Sequence, residues 1–290
     1  MIAGDDLPPA VSLILCEGPE DRAFWGGLLH ARGWAQVKPK SGRGGEARRP
    51  RGRKGRGGGG AAGGDRRPHT FGTPEPSDKD PDPAPRPYVE VHPTGGGGNL
   101  LPTLRSLLEE DRADPVITRT LLNFDTDLSA EDERDGRTGL TVDGVRSSLD
   151  GGGWPSHAAE GEPGSLRLDG GPVVTLTPWR TADPVGDGVP EKQTLERVVC
   201  TAVVARPDRG PAVAGWLKSR PGLVPGVEPH RHKSTALSYY AGWYPGGGSF
   251  AFFAGLWRDP PVAAELERLL RDAGTLAAVD RLLAPPASSP

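Results

Sequence analysis

A chain of 290 residues is long enough for one large domain, or for a domain with a smaller appendage. Its formal net charge of −3 gives no overall pull toward nucleic acid or an anionic membrane, and its two isolated cysteines, Cys16 and Cys200, exclude a disulfide framework and a cysteine-rich zinc centre. The opening MIAGDDLPPA carries acids where a secretory leader has basic residues, and no run approaches the roughly 20 apolar residues that span a bilayer, so a soluble, cytoplasmic protein with no membrane partner is expected.

VSLILC (residues 11–16) is a short apolar run followed by turn residues and predicts a buried strand. PEDRAFWGGLLHARG (19–33) puts Ala23, Phe24, Leu28 and Leu29 on one helical face, with Pro19 suited to the first turn and Gly33 to the stop. Residues 41–87 hold a single aromatic and almost no aliphatic side chains, too little apolar surface to offset their ordering entropy, and are expected to form a disordered insertion. Arg48, Arg49, Arg51, Arg53, Lys54 and Arg56 make its first half basic, fit either to hold phosphates loosely or to serve as a solvated linker. Arginine outnumbers lysine 28 to 7 across the chain, a bias that coding drift in a GC-rich genome would produce, and this favours the linker reading.

YVEVHP (88–93) predicts a strand, and NLLPTLRSLLEED (99–111) a helix with Asn99 as N-cap and Pro102 in its first turn. TRTLLNF (118–124) is the next strand, VDGVRSSL (142–149) a weak helix, the Gly-rich stretch 150–170 a surface loop, and VVTLTPW (173–179) another strand. This alternation predicts an α/β, Rossmann-like parallel sheet flanked by helices over residues 9–185. Residues 186–285 turn helical, in 191–205, 211–219, 233–244 and 260–274, and are expected to pack on the sheet as an extension, with 286–290 a disordered tail.

Ligand sites of parallel α/β sheets gather beyond the carboxyl ends of the strands, and two predicted strands end there in acid. Glu17 follows VSLILC, with Gly18 allowing a sharp turn; Asp125 and Asp127 follow LLNF. Three carboxylates converging in a cleft repel one another, and a cation relieves that repulsion. Oxygen-only donors favour Mg²⁺ or Mn²⁺ completed by water and phosphate. Asp21 either supports this site or sits exposed in the first helical turn, near the helix dipole. Each motif alone has a plainer meaning: the aspartates as helix caps, Glu17 likewise, and FDTDLS as an imitation of the haloacid-dehalogenase nucleophile motif, which normally follows the first strand of its fold. The histidines form no zinc set, TGGGGN lacks the Gly-Lys-Ser/Thr ending of a P-loop, and Tyr239, Tyr240, Trp243 and Tyr244 have the spacing of a packed helix.

Glu-Gly after the first strand with Asp-x-Asp after a later one resembles the Toprim domain of topoisomerases, bacterial primases, recombination-repair proteins and OLD-type nucleases. CEGPEDRAFWGGLL, HPTGGGGNLLPTL, TLERVV and HRHKSTALSYYAGW are similar to stand-alone Toprim-like proteins, so the resemblance runs over most of the chain outside 41–87. It implies a Toprim-like fold, Asp125 and Asp127 as metal ligands, and Glu17 as ligand or general acid/base. OLD-type nucleases add a further acid and a lysine, for which Glu196 and Lys233 are the candidates here; a surface salt bridge is the plainer reading of both. The implied activity is Mg²⁺-dependent cleavage or nicking of DNA or RNA. A topoisomerase or primase needs more chain than this. The ATPase domain of full OLD nucleases is missing, so ATP-driven control would require a separate ATPase or regulatory protein, and a homo-oligomer stays open. From a different class comes a non-catalytic Toprim-like sensor that binds nucleotide or nucleic acid and regulates a partner.

Overall fold

The computed structural model describes residues 11–37, 67–72, 88–112, 116–137, 139–219, 233–243 and 249–284. Eight strands form one mixed sheet: β1 (Val11–Cys16), β2 (Ala35–Val37), β3 (His69–Gly72), β4 (Tyr88–Pro93), β5 (Ile117–Asp125), β6 (Ser156–Ala158), β7 (Ser165–Leu168) and β8 (Val173–Trp179). Their order across the sheet is β2-β3-β4-β1-β5-β8-β7-β6. The four central strands, β4-β1-β5-β8, are parallel, and an antiparallel pair closes each edge. The fold class is α/β and Rossmann-like.

Strict alternation along the central strands separates two cores. Ile14 and Cys16 of β1, Leu121 of β5 and Trp179 of β8 face α1 (Pro19–Ala31) and the C-terminal helices. Leu15, Leu122, Phe124 and Val174 face α2 (Leu100–Asp111) and α4 (Val142–Gly151). The short α3 (Ala130–Arg134) follows the Asp-x-Asp turn. The connection from β1 to β4 thus uses one face, and those from β4 to β5 and from β5 to β8 use the other, as right-handed crossovers require when the direction of travel reverses. The reversal leaves a crevice beyond the carboxyl ends of β1 and β5, where such sheets bind ligands.

Beyond β8 the helices α5 (Leu195–Val204), α6 (Gly210–Lys218), α7 (Lys233–Ala241), α8 (Ser249–Gly255), α9 (Pro260–Asp272) and α10 (Thr275–Leu283) join the layer begun by α1. Trp25 and Trp179 stack at 5.3 Å with an 18° interplanar angle, and Phe24 meets both edge-on, with Trp257 on its far side. Each indole N–H has a partner: Asn123 Oδ1 for Trp25 (2.9 Å), Asp21 Oδ1 for Trp179 (2.7 Å) and the Phe24 carbonyl for Trp257 (3.0 Å). Gly27 of α1 permits this packing, because a Cβ there would stand 2.5 Å from Trp257 and 2.9 Å from Ala254 of α8.

Two expectations need correction. The segment 41–87 is not wholly without structure: His69–Gly72 forms β3, bonded to β2 and β4, because Phe71 buries its ring under α1. Nor is 150–170 only a surface loop, since β6 and β7 add a hairpin to β8 and bury Leu166 and Leu168. The basic cluster Arg48, Arg49, Arg51, Arg53, Lys54 and Arg56 and the tail 286–290 lie outside the described residues. So do Tyr244 and the two histidines of HRHK. No helix among the described residues is long and apolar enough to cross a membrane.

Asn123 is fully buried; it accepts from Trp25 and donates to the Thr177 carbonyl (2.8 Å), tying α1 to two strands. Asn123→Ala should cost about 3 kcal/mol by orphaning both partners, read as a lowered urea midpoint with an unchanged m-value. A loss under about 0.5 kcal/mol would show that the aromatic stack alone sets this packing.

Candidate active site

β1 and β5 are adjacent and parallel, so their ends bring Glu17 and Asp125 together at the crevice. The Asp125 amide donates to Glu17 Oε1 at 2.9 Å, and the Gly97 amide donates to the same carboxylate. Gly95 and Gly96 donate to the Glu17 carbonyl at 2.8 and 2.9 Å, so TGGGGN is a cradle for Glu17 as well as a lead-in to α2. A Cβ at position 97 would lie 2.9 Å from Glu17 Oε1, so only glycine allows so close an approach. Burial raises the Glu17 carboxyl above its usual range, and Asp127 adds to the rise, while the two amides partly offset it.

Asp125 is nearly buried. Its Oδ1 accepts from the Leu195 amide (3.0 Å) at the first turn of α5, where the helix dipole favours negative charge. Burial first, then the nearby Glu196 charge and Glu17, nonetheless push its carboxyl up to about 7, against the lowering pull of Lys233 and the Leu195 amide. Lys233, the first residue of α7, places Nζ 3.4 Å from Asp125 Oδ2 and 3.7 Å from Asp127 Oδ1. Desolvation acts to lower the Lys233 pKa, but Glu196, Asp125 and Asp127 outweigh it and the net shift is upward. Glu196 Oε2 is buried without a hydrogen-bond partner among the described residues.

Asp127 is more exposed and adopts φ = 53°, a left-handed conformation that a non-glycine residue takes at a cost. Its amide and that of Thr126 both donate to the Gln193 carbonyl (3.3 and 3.1 Å), and the Gln193 amide donates to Leu128 O (2.9 Å). The Gln193 side chain is fixed in turn by both backbone groups of Thr181 (3.0 and 3.1 Å). Gln193 therefore clamps the Asp-x-Asp turn, a role with no motif or spacing to announce it.

Asp21 is not an exposed first-turn acid. It is buried behind Glu17, accepting from Gly18 N (3.0 Å) and Trp179 Nε1, and burial followed by the Asp125 charge pushes its carboxyl up to about 8. Of the clustered aromatics, Tyr240 is buried, whereas Tyr239 is partly exposed and packs edge-on to Trp216 at 4.3 Å.

Glu17, Asp125, Asp127, Glu196 and Lys233 thus form one constellation, with Asp21 behind it. As they stand, no three carboxylate, imidazole or thiolate groups among the described residues are close enough to share an ion. The donor set nonetheless suits a hard divalent cation: all oxygen, with an unpartnered buried Glu196 oxygen and carboxyls raised by burial and, to a lesser degree, by one another. An apolar-walled cavity of about 480 Å³ abuts the same turn, and a wider cleft of about 820 Å³, flanked by Arg206, Arg209 and Arg258, lies near the far end of α5.

The crystal structure of hypothetical protein PH0156 from Pyrococcus horikoshii OT3 is similar over 95% of this chain and 100% of that one, at 16% identity and a TM-score of 0.64. At that identity the likeness shows the fold alone. No family model matches the chain, and neither does any curated protein.

Above pH 5, where the unfolded chain has already released them, the folded protein holds the Asp125 proton until about pH 7 and the Asp21 proton until about pH 8. Each then contributes less stability as pH rises through that interval. In EDTA, Asp125→Asn should raise the melting temperature more at pH 8 than at pH 5, and Mg²⁺ should stabilise the unsubstituted protein more at pH 8. A gain from Asp125→Asn that is equal at the two pH values would contradict the rise that burial and the neighbouring acids impose on this carboxyl.

Proposed function

We propose that the chain is a divalent-metal-dependent phosphodiester hydrolase that nicks or cleaves nucleic acid, built on a Toprim-like α/β domain. The observation that carries this reading is the direct coupling of Glu17 to Asp125 across two parallel strands, with Lys233 and Glu196 delivered to the same point by the C-terminal helices. Acceptance from backbone amides accounts for Glu17 and Asp125 singly, but not for Asp127, Glu196 and Lys233 being brought to the same point. The Toprim resemblance supports it independently, from Glu17-Gly18 and the Asp125-x-Asp127 turn.

Asp125 and Asp127, with Glu17 at their side, would hold Mg²⁺ or Mn²⁺. The ion supplies charge for the phosphate and lowers the pKa of water at the site. The chain's own groups do the rest. The raised pKa of the Glu17 carboxyl brings it nearer the range in which a carboxylate takes and returns a proton at neutral pH. The Lys233 ammonium, kept charged by its acidic neighbours, faces the site and offers N–H donors to a phosphate oxygen. The Gln193 clamp holds the Asp-x-Asp turn in its left-handed bend, so little ordering is left for substrate to impose.

The ion pairs from Lys233 to both aspartates favour a second reading, in which the lysine already neutralises the pair and the domain senses or binds nucleic acid for a partner. Turnover separates the two. Supercoiled plasmid, single-stranded DNA and structured RNA, each with Mg²⁺, Mn²⁺ or EDTA, should show metal-dependent cleavage. Asp125→Asn and Glu17→Gln should each lower it by about 100-fold or more while circular dichroism is unchanged. Binding without cleavage of any substrate would overturn the hydrolase in favour of the sensor.

A further inference from the structure

The cavity of about 480 Å³ beside the Asp-x-Asp turn is not used by the chemistry above. Phe124, Leu128, Leu140, Val142, Leu176 and Pro178 make its walls mostly apolar, and Arg137 and Arg180 stand among its lining residues. Its volume falls in the range of roughly 300–1,000 Å³ typical of small-molecule sites. Thr126 and Leu128 line it, whereas Asp125 and Asp127, which alternate with them along the same turn, meet Lys233. The cavity and the carboxylate cluster therefore share one stretch of chain as a common wall.

We infer that this cavity seats one unpaired nucleobase of a single-stranded nucleic acid whose adjoining phosphate lies at Asp125 and Asp127. The inference rests on the hydrolase reading for the position of the phosphate. Three features select a base over other apolar ligands. The cavity opens beside a cluster whose donors suit phosphate chemistry, so its occupant is the group one nucleotide carries next to its phosphate. Its walls are mostly apolar, as the faces of a base require. Arg137 and Arg180 are each held by one acid, Asp132 Oδ1 at 2.7 Å and Glu133 Oε1 at 2.8 Å, and both side chains stay more than half exposed. A guanidinium fixed at its edge keeps its flat face for stacking on a base or its remaining N–H groups for the flanking phosphate. A base in such a cavity has left the duplex stack, at a cost that single strands do not pay, so single-stranded substrate is preferred.

The test is equilibrium binding by fluorescence anisotropy in EDTA, where no cleavage occurs, using full-length protein. The probes are a 12-residue single-stranded DNA, its RNA counterpart, its duplex, and an abasic DNA oligomer with the same phosphates. The intact single strands should bind at least about tenfold tighter than the abasic oligomer, which carries the same charge and corrects for non-specific attraction to basic segments. Leu140→Trp, which fills the cavity, should bring that ratio close to one. The exposed double substitution Arg137→Ala with Arg180→Ala, which leaves the apolar part of the walls intact, should lower it severalfold. The DNA and RNA arms identify which nucleic acid is the natural occupant. Equal binding of intact and abasic strands, a ratio unmoved by Leu140→Trp, or no binding of any strand overturns the base site. Failure of the hydrolase reading looks different: base-dependent binding persists in EDTA, and adding Mg²⁺ produces no cleavage. Cleavage that proceeds equally well in the cavity-filled variant and on abasic strands would remove the base site and leave the hydrolase standing.

Discussion

Like charges gathered at the edge of a buried sheet repel one another, and much of this molecule is arranged around that repulsion. Glu17, Asp21, Asp125, Asp127 and Glu196 lie in one neighbourhood, with Lys233 the ammonium group that faces them. Backbone amides carry much of the compensation: Asp125 and Gly97 toward Glu17, Leu195 toward Asp125, Gly18 toward Asp21. Such donors are rigid because the strands and helix ends that present them are rigid, so the acids are held at a spacing they would not choose in water. The fold supplies the restraint, and among the described residues the restraint leaves the cluster with more acid than base.

The C-terminal helices are accordingly part of the site as well as of the core. α5 brings its first turn to Asp125 and sets Glu196 beside it, and α7 brings Lys233. Their anchorage is the aromatic layer in which Trp25, Trp179, Phe24 and Trp257 join α1, β8 and the segment after α8. Asn123, two residues before Asp125 on β5, is wired into that layer through Trp25. Packing at the heart of the protein and geometry at the sheet edge are therefore continuous along one strand.

The central strands were legible because burial leaves a pattern in the sequence, as a continuous apolar run in VSLILC and as alternation in YVEVHP; these and VVTLTPW coincide with β1, β4 and β8. The outer strands were not. β3 has one large apolar residue, Phe71, within an Arg-, Gly- and Pro-rich stretch, and β6 and β7 are three and four residues long, too short for alternation to register. Glu17, Asp125 and Asp127 could be read because a strand's end fixes where its next residue goes. Glu196 and Lys233 rested on resemblance alone, since no local pattern says which turn of a later helix will face the crevice. Gln193 could not be read at all: its part is played by a main-chain carbonyl, and any residue has one. What binds Thr181 is its amide side chain, an interaction visible only once the two loops are side by side.

The left-handed bend at Asp127 has a consequence for how this sequence can change. Glycine would occupy that conformation without the penalty of about 1 kcal/mol or more that an L-side chain incurs, and asparagine would occupy it with less electrostatic conflict. Drift under selection for folding alone would thus pull position 127 away from a carboxylate, while any role for the charge pulls it back. Position 127 is a tension point where foldedness and chemistry ask for different residues, and a population of variants sorted first for thermal resistance and then for turnover would divide there.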